Sequence, residues 1–193
     1  MEIEIFDDME QCTADEVGRM LPLVSEQRRE QALKFRFTFG QYACLKAAVM
    51  LQGIIARMRP DIPLPLTFNF NEHEKPFLAD HPELFFNISH CKNGIAAVVA
   101  DHPVGIDIEC FHDAEHGLLE KTMNPEERQQ IASSADPAVE FTRLWTRKEA
   151  VLKLRGTGIT DNLSAVLSGP EQVETTVNPT KHYAWSVAVR SKN

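Results

Sequence analysis

Apolar and polar positions change period several times along the chain, and each change predicts an element. Residues 26–35 read as a helix that Ser25 or a polar neighbour caps. Over 42–58, Leu45, Val49, Gln52 and Ala56 fall at helical spacing, and Pro60 stands where a helix cannot continue. Pro60, Pro63 and Pro65 mark a turn-rich connector. From Leu66 the period shortens. Residues 66–71 alternate like a half-buried strand, and 84–88, 94–100 and 104–109 follow as further strands, the last after an Asp101-His102-Pro103 turn. Two more helices are expected over 125–133 and 137–155, with Gly156 placed for a left-handed C-cap. Strand character returns at 184–189.

The order is helices then strands, twice, and 94–100 and 184–189 close the two halves with similar small, β-branched sequences. This predicts an α+β fold of two similar α+β lobes related by pseudo-two-fold symmetry. The N-terminal lobe would span 1–102 and the C-terminal lobe, carrying the chemistry, 103–193.

Composition narrows the function. With 43% apolar and 25% charged residues among 193, a real core is affordable. The formal net charge of -8 argues against a nucleic-acid partner, which needs a basic footprint to displace counterions. Residues 1–8 show no basic region ahead of an apolar core, so no signal peptide is expected. The longest plainly apolar run, 95–100, is far short of a membrane span. Cys12, Cys44, Cys91 and Cys110 have no C-x-x-C or metal-site spacing and are expected as reduced, half-buried thiols. The expectation is a cytoplasmic protein with no membrane partner.

Two segments carry candidate chemistry. In Val104-Gly105-Ile106-Asp107-Ile108-Glu109, alternation aims Asp107 and Glu109 to one face while Ile106 and Ile108 enter the core. Paired carboxylates suit magnesium, whose remaining positions are filled by water and substrate phosphates. The same pattern also describes the polar side of any half-buried strand. Along 141–153, Phe141, Leu144, Trp145, Val151 and Leu152 share an apolar face, with Glu149 and Lys153 together on its flank. As a surface pair these two are worth about 0.3–0.5 kcal/mol; beside a buried face they can instead reach a cleft. Lys148 points nearly into the apolar stripe, which a purely structural helix would avoid.

Taken together, V-G-I-D-I-E and W-T-R-K-E-A-V-L-K resemble the paired signature of the 4′-phosphopantetheinyl transferases, in their longer single-chain, two-lobe class. Further segments agree in order. Asn71-Glu72-His73-Glu74-Lys75-Pro76 resembles a G-K-P-like turn, Phe86-Asn87-Ile88-Ser89-His90 the F-N-x-S-H segment, and Asn124-Pro125-Glu126-Glu127 the acidic start of the second-lobe helix. The resemblance implies a monomer that moves the phosphopantetheine arm of coenzyme A to a serine of an acyl or peptidyl carrier protein, releasing 3′,5′-ADP. It implies that Asp107, Glu109 and Glu149 hold Mg2+ against the pyrophosphate, and that Lys153, with Lys148, neutralises phosphate oxygens. Lys75, Ser89 and His90 would hold the nucleotide end, with His90 and Arg28 near the 3′-phosphate.

The attacking serine needs a base. Metal-bound carboxylates are poor bases and Lys153 should stay protonated, so Glu127 is a candidate, although it stands three residues after Asn124 and equally suits a capping box. Gln31, Gly40 and Ala43 depart from the family pattern, where charged residues are common; Lys34 or Arg36 could compensate. Arg143 with Arg147 is a candidate docking patch for an acidic carrier. Two rival readings stand beside this one: a magnesium-dependent phosphodiesterase or nuclease, and a non-enzymatic coenzyme A-binding module.

Overall fold

Each half of the chain begins with a strand, passes through helices and returns to strands. The computed structural model describes residues 1–73, 75–156, 158 and 162–190; Glu74, within the G-K-P-like segment, lies outside them. The first half runs β1 (Glu2–Phe6), α1 (Ala14–Met20), α2 (Glu26–Leu33), α3 (Thr38–Met58), the short β2 (Asn69–Phe70) and β3 (Pro76–Phe77), then β4 (Phe85–Cys91) and β5 (Gly94–Ala100). The second runs β6 (Val104–Cys110), α4 (His116–Thr122), α5 (Pro125–Ser133), α6 (Pro137–Arg155), β7 (Glu171–Asn178) and β8 (Tyr183–Arg190). The expected helices-then-strands order is thereby corrected: β1 precedes the first helices, and β6 opens the second half.

Two three-stranded antiparallel sheets result, ordered β1-β5-β4 and β6-β8-β7. In each, the strand latest in sequence runs through the middle. All of β5 is buried, because its alternate residues serve two cores. Ile95, Ala97 and Val99 join the cluster built on α3, whereas Ala96, Val98 and Ala100 pack with Val104, Ile106, Ile108 and Val187 of the other sheet. On the far side of that second sheet, Ala188 meets Ala150, Val151 and Leu154 of α6. The layers are thus helix, sheet, sheet, helix, and one apolar seam joins the halves.

α3 begins earlier than the apolar spacing suggests and ends before Pro60 as expected. By length and composition it could cross a membrane, but it is the helix on which the first sheet packs, with Leu45, Leu51, Ile54 and Ile55 fully buried. The strand expected over 66–71 shrinks to β2. Glutamine side chains replace its ladder: Leu66 N donates to Gln52 Oε1 at 2.9 Å, while Gln27 accepts from Phe68 N and donates to Phe68 O at 3.4 and 3.2 Å. Leu66 and Phe68 are buried nonetheless, so the alternation reports burial without pairing. α6 matches expectation at both ends. The Asp136 side chain accepts from Val139 N, Pro137 fills the first turn, and Gly156 takes φ 68° at the C-cap.

Candidate active site

The site is assembled by the contact of α6 with β6. A Cβ placed on Gly105 would collide with the backbone of Ala150 and Leu154, so the missing side chain lets the helix backbone lie against the strand. The pleat does the rest. Ile106 and Ile108 enter the inter-sheet core, leaving Asp107 and Glu109 on the Gly105 face. Glu149 and Lys153, each one residue before a Gly105 neighbour, descend onto that face.

β4 completes it from the other lobe. Asn87 Oδ1 accepts from Ile106 N at 3.0 Å, tying β4 to β6 where no ladder joins them. Ser89 Oγ donates to Asp107 Oδ1 at 2.8 Å, and the Lys153 ammonium donates to both, at 2.8 Å to Ser89 and 2.6 Å to Asp107. Lys153 is therefore bonded to Asp107 and not, as helix spacing suggested, to Glu149. It reaches across to β6 because that carboxylate is almost wholly buried, with 2% exposure, and needs a cation more than Glu149 does.

One cavity of about 390 Å³ is lined by Arg28, Ser89, His90, Asp107, Glu109, Glu149 and Lys153, a size suited to a small-molecule site. A second, of about 210 Å³, shares Glu149 and Lys153 and adds Lys75, Asn87 and Gly156. Burial, then the like charge of Asp107, push the Glu109 carboxyl up to about 7, with Glu149 adding to the rise and Lys153 opposing it. Glu149 is raised by burial and then by Asp107. Burial, followed by Lys153, holds the His90 imidazole below its usual range. Arg28 is buried with no carboxylate partner among the described residues. Its Nη1 reaches Cys44 Sγ at 3.8 Å, its guanidinium lies 5.2 Å from the Phe68 ring centre, and its Nε is unpartnered. A buried cation facing a cavity in this state is suited to an anionic ligand.

Among the described residues no group of three His, Cys, Asp or Glu side chains is arranged to grip a metal ion; Asp107, Glu109 and Glu149 nevertheless line one cavity, together with Lys153. The donor set still fits a hard cation. Among the described residues Asp107 Oδ2 is buried with no hydrogen-bond partner, and burial, followed by the Asp107 charge, raises the pKa of both its carboxylate neighbours, a state that a cation would relieve.

Lys148 and Glu127 lie elsewhere. Lys148 is fully buried and bonds Glu127 Oε2 at 2.8 Å, with Leu163 O at 3.0 Å as a further acceptor. Glu127 also completes the capping box, accepting from Asn124 N at 2.8 Å while Asn124 Oδ1 accepts from Glu127 N. Neither lines the two cavities, so the geometry does not bring Lys148 to the phosphate clamp or Glu127 to the expected base position. A buried ammonium needs a carboxylate, and these two satisfy each other. Lys75 lines the second cavity with its stem, but its ammonium, desolvated by burial, donates to Lys153 O at 2.6 Å and closes the end of α6. In the suggested docking patch, Arg143 is held by Glu140 at 2.6 and 3.0 Å, and Arg147 donates to Val173 O and Thr175 Oγ1, both at 3.2 Å.

Gln31 and Ala43 line the larger cavity, whereas Lys34 and Arg36 do not, so neither basic residue compensates there. Sequence reasoning assigned no role to Asn87 or Gly105. A buried amide in an apolar strand and a glycine inside a strand were the available signals.

Comparison with known proteins agrees with this placement. Residues 103–190 match the 4′-phosphopantetheinyl transferase superfamily. The chain is 32% identical over 152 residues to 4′-phosphopantetheinyl transferase psf-1 of Bacillus pumilus, covering 78% of this chain and 65% of that protein. It is 26% identical over 164 residues to 4′-phosphopantetheinyl transferase Sfp of Bacillus subtilis (strain 168), covering 82% and 73%. With 4′-phosphopantetheinyl transferase AcpT of Salmonella typhimurium it shares 34% identity over 127 residues, 58% of this chain and 60% of the relative. The chain spans just under two thirds of the first curated relatives it matches, 65% and 66% of their lengths.

Proposed function

We propose that the chain, whose residues 103–190 match the 4′-phosphopantetheinyl transferase superfamily, transfers the phosphopantetheine arm of coenzyme A to a serine hydroxyl of an acyl or peptidyl carrier protein, releasing 3′,5′-ADP. The observation that carries this reading is one cavity whose lining combines the buried, anion-ready Arg28 with the Ser89–Lys153–Asp107 group, Glu109 and Glu149. A substrate rich in phosphate matches that lining.

Arg28, with His90 beside it in the wall, would take the 3′-phosphate. Lys153, bonded to Ser89 and Asp107, would meet the pyrophosphate, where preorganised positive charge lowers the barrier as negative charge gathers on the 5′-phosphate of the departing 3′,5′-ADP. Asp107 Oδ2, Glu109 and Glu149 would hold Mg2+, which when bound neutralises phosphate charge. Glu149 lines both cavities, so it would meet the cation from the wall they share. Asn87 and Gly105 position rather than react: one fixes β4 to β6, the other admits α6.

The same strand order in both sheets supports two lobes, 1–102 and 103–193, related by a pseudo-two-fold axis. Because both lobes of one chain supply the wall, a monomer suffices. The setting we infer is cytoplasmic, with neither nucleic acid nor membrane as partner. Thermal melts test ligand choice: coenzyme A with Mg2+ should raise Tm by several degrees, and 3′,5′-ADP should do so in part. An unchanged Tm with millimolar coenzyme A and Mg2+ would count against the reading.

A further inference from the structure

Two cysteines end the strands that carry the site. Cys91 is the last residue of β4 and Cys110 the last of β6. Between these strands, Asn87 meets Ile106 and Ser89 meets Asp107, at 3.0 and 2.8 Å. Both contacts advance toward the cysteine ends of their strands, and the Cys110 side chain neighbours the Cys91 thiol. Both side chains join the apolar cluster between the sheets, Cys91 buried and Cys110 half-buried. Burial holds the Cys91 thiol above its ordinary range, and the neighbouring Cys110 side chain acts in the same direction. Cys12 and Cys44 have no such pairing: Cys44 sits against Arg28, and Cys12 belongs with the α3 cluster.

We propose that Cys91 and Cys110 form an oxidative modification site, closing to a disulfide under peroxide and thereby joining the two sheets at the edge of the active cavity. The half-buried Cys110 sulfur attacks one peroxide oxygen, giving a sulfenic acid and releasing the other oxygen as water. The Cys91 sulfur then displaces the sulfenic oxygen as a second water, and an S–S bond replaces the two S–H bonds. Disulfide geometry sets the two Cβ atoms about 3.8 Å apart. The residues immediately before the cysteines are His90 and Glu109, both in the cavity wall. Drawing the strand ends into that geometry displaces both, so oxidation weakens coenzyme A binding, and a thiol reductant restores it. This second consequence rests on the proposed function; the cross-link does not.

The experiment treats reduced protein with hydrogen peroxide, alkylates free thiols and digests with trypsin, which cuts after Lys92, between the two cysteines. The expected product is one cross-linked species containing both, absent from Cys110→Ser and from Cys91→Ser. In parallel, the apparent KM for coenzyme A in carrier loading should rise at least about fivefold on oxidation and return with dithiothreitol, while Cys110→Ser shows no response. Cys110 oxidised singly with Cys91 still alkylated would overturn the proposal. A cross-link with unchanged KM would overturn its effect on the site. If the untreated protein loads no carrier at all, the proposed function fails, yet the cross-link result still decides whether the pair exists.

Discussion

Replacing Lys148 by methionine removes the cation that holds Glu127. The wild-type ammonium is wholly buried and holds Glu127 Oε2 at 2.8 Å and Leu163 O at 3.0 Å. Methionine matches the stem in length and apolar character, so little packing is lost. What remains is a carboxylate with 7% exposure whose surviving bond is the cap from Asn124 N. Breaking a buried pair in this way costs about 3–5 kcal/mol. For a chain of this size that is a fall in Tm of about 10 °C. Adding Glu127→Gln removes the stranded charge and keeps an acceptor for the capping box. The double variant should therefore recover more than about 1 kcal/mol relative to Lys148→Met alone. Urea titrations of wild type, both single variants and the double variant give the coupling. A loss under about 1 kcal/mol for Lys148→Met, or additive losses in the cycle, would refute the buried-pair account. Turnover well below the melt separates the roles of Glu127. Glu127→Gln should keep turnover within a few-fold; a collapse with an altered acid limb would restore it as the base.

Gly105→Ala forces a methyl into the α6 backbone and should cost at least about 3 kcal/mol, read by denaturant titration; a near-neutral result would contradict the strand–helix contact. The Glu109 carboxyl, raised to about 7, adds stability below its unfolded pKa that is lost as pH rises through about 7. Chelated protein should accordingly melt higher at pH 6 than at pH 8, and Mg2+ should flatten that slope; an identical slope with and without Mg2+ would remove Glu109 from the cation site. Arg28→Ala and His90→Ala should weaken coenzyme A binding about 10-fold or more while barely changing 3′-dephospho-coenzyme A binding, as measured by calorimetry. Equal losses for both ligands would make the two residues structural.

Much of this architecture was legible because single periodicities decide it. β5, α5 and α6 have the bounds that apolar spacing, caps and Gly156 indicate. Alternation in β6 placed Asp107 and Glu109 on one face, as the structure has them. Legibility stopped where a residue's partner is distant in sequence. Helix spacing makes Glu149 the neighbour of Lys153, but the bond goes to Asp107 on another element. Lys148 looked functional because a lysine in an apolar stripe is unusual; its partner proved to be the capping glutamate of α5. Residues 66–71 alternate correctly and still form little strand, since Gln27 and Gln52 supply the hydrogen bonds a ladder would have made. β1 has alternating Ile3 and Ile5, but its identity depends on β5 being there to pair with it.

The central claim is group transfer from coenzyme A, and intact-mass analysis of a carrier tests it most directly. Several apo acyl and peptidyl carrier proteins are incubated with the chain, coenzyme A and Mg2+. The account predicts that at least one gains the mass of a single phosphopantetheine arm on its serine, with 3′,5′-ADP formed in equal amount. The gain should vanish with a chelator, with Asp107→Ala and with Lys153→Ala. Carriers of unchanged mass, with coenzyme A either intact or cleaved in their absence, would contradict it.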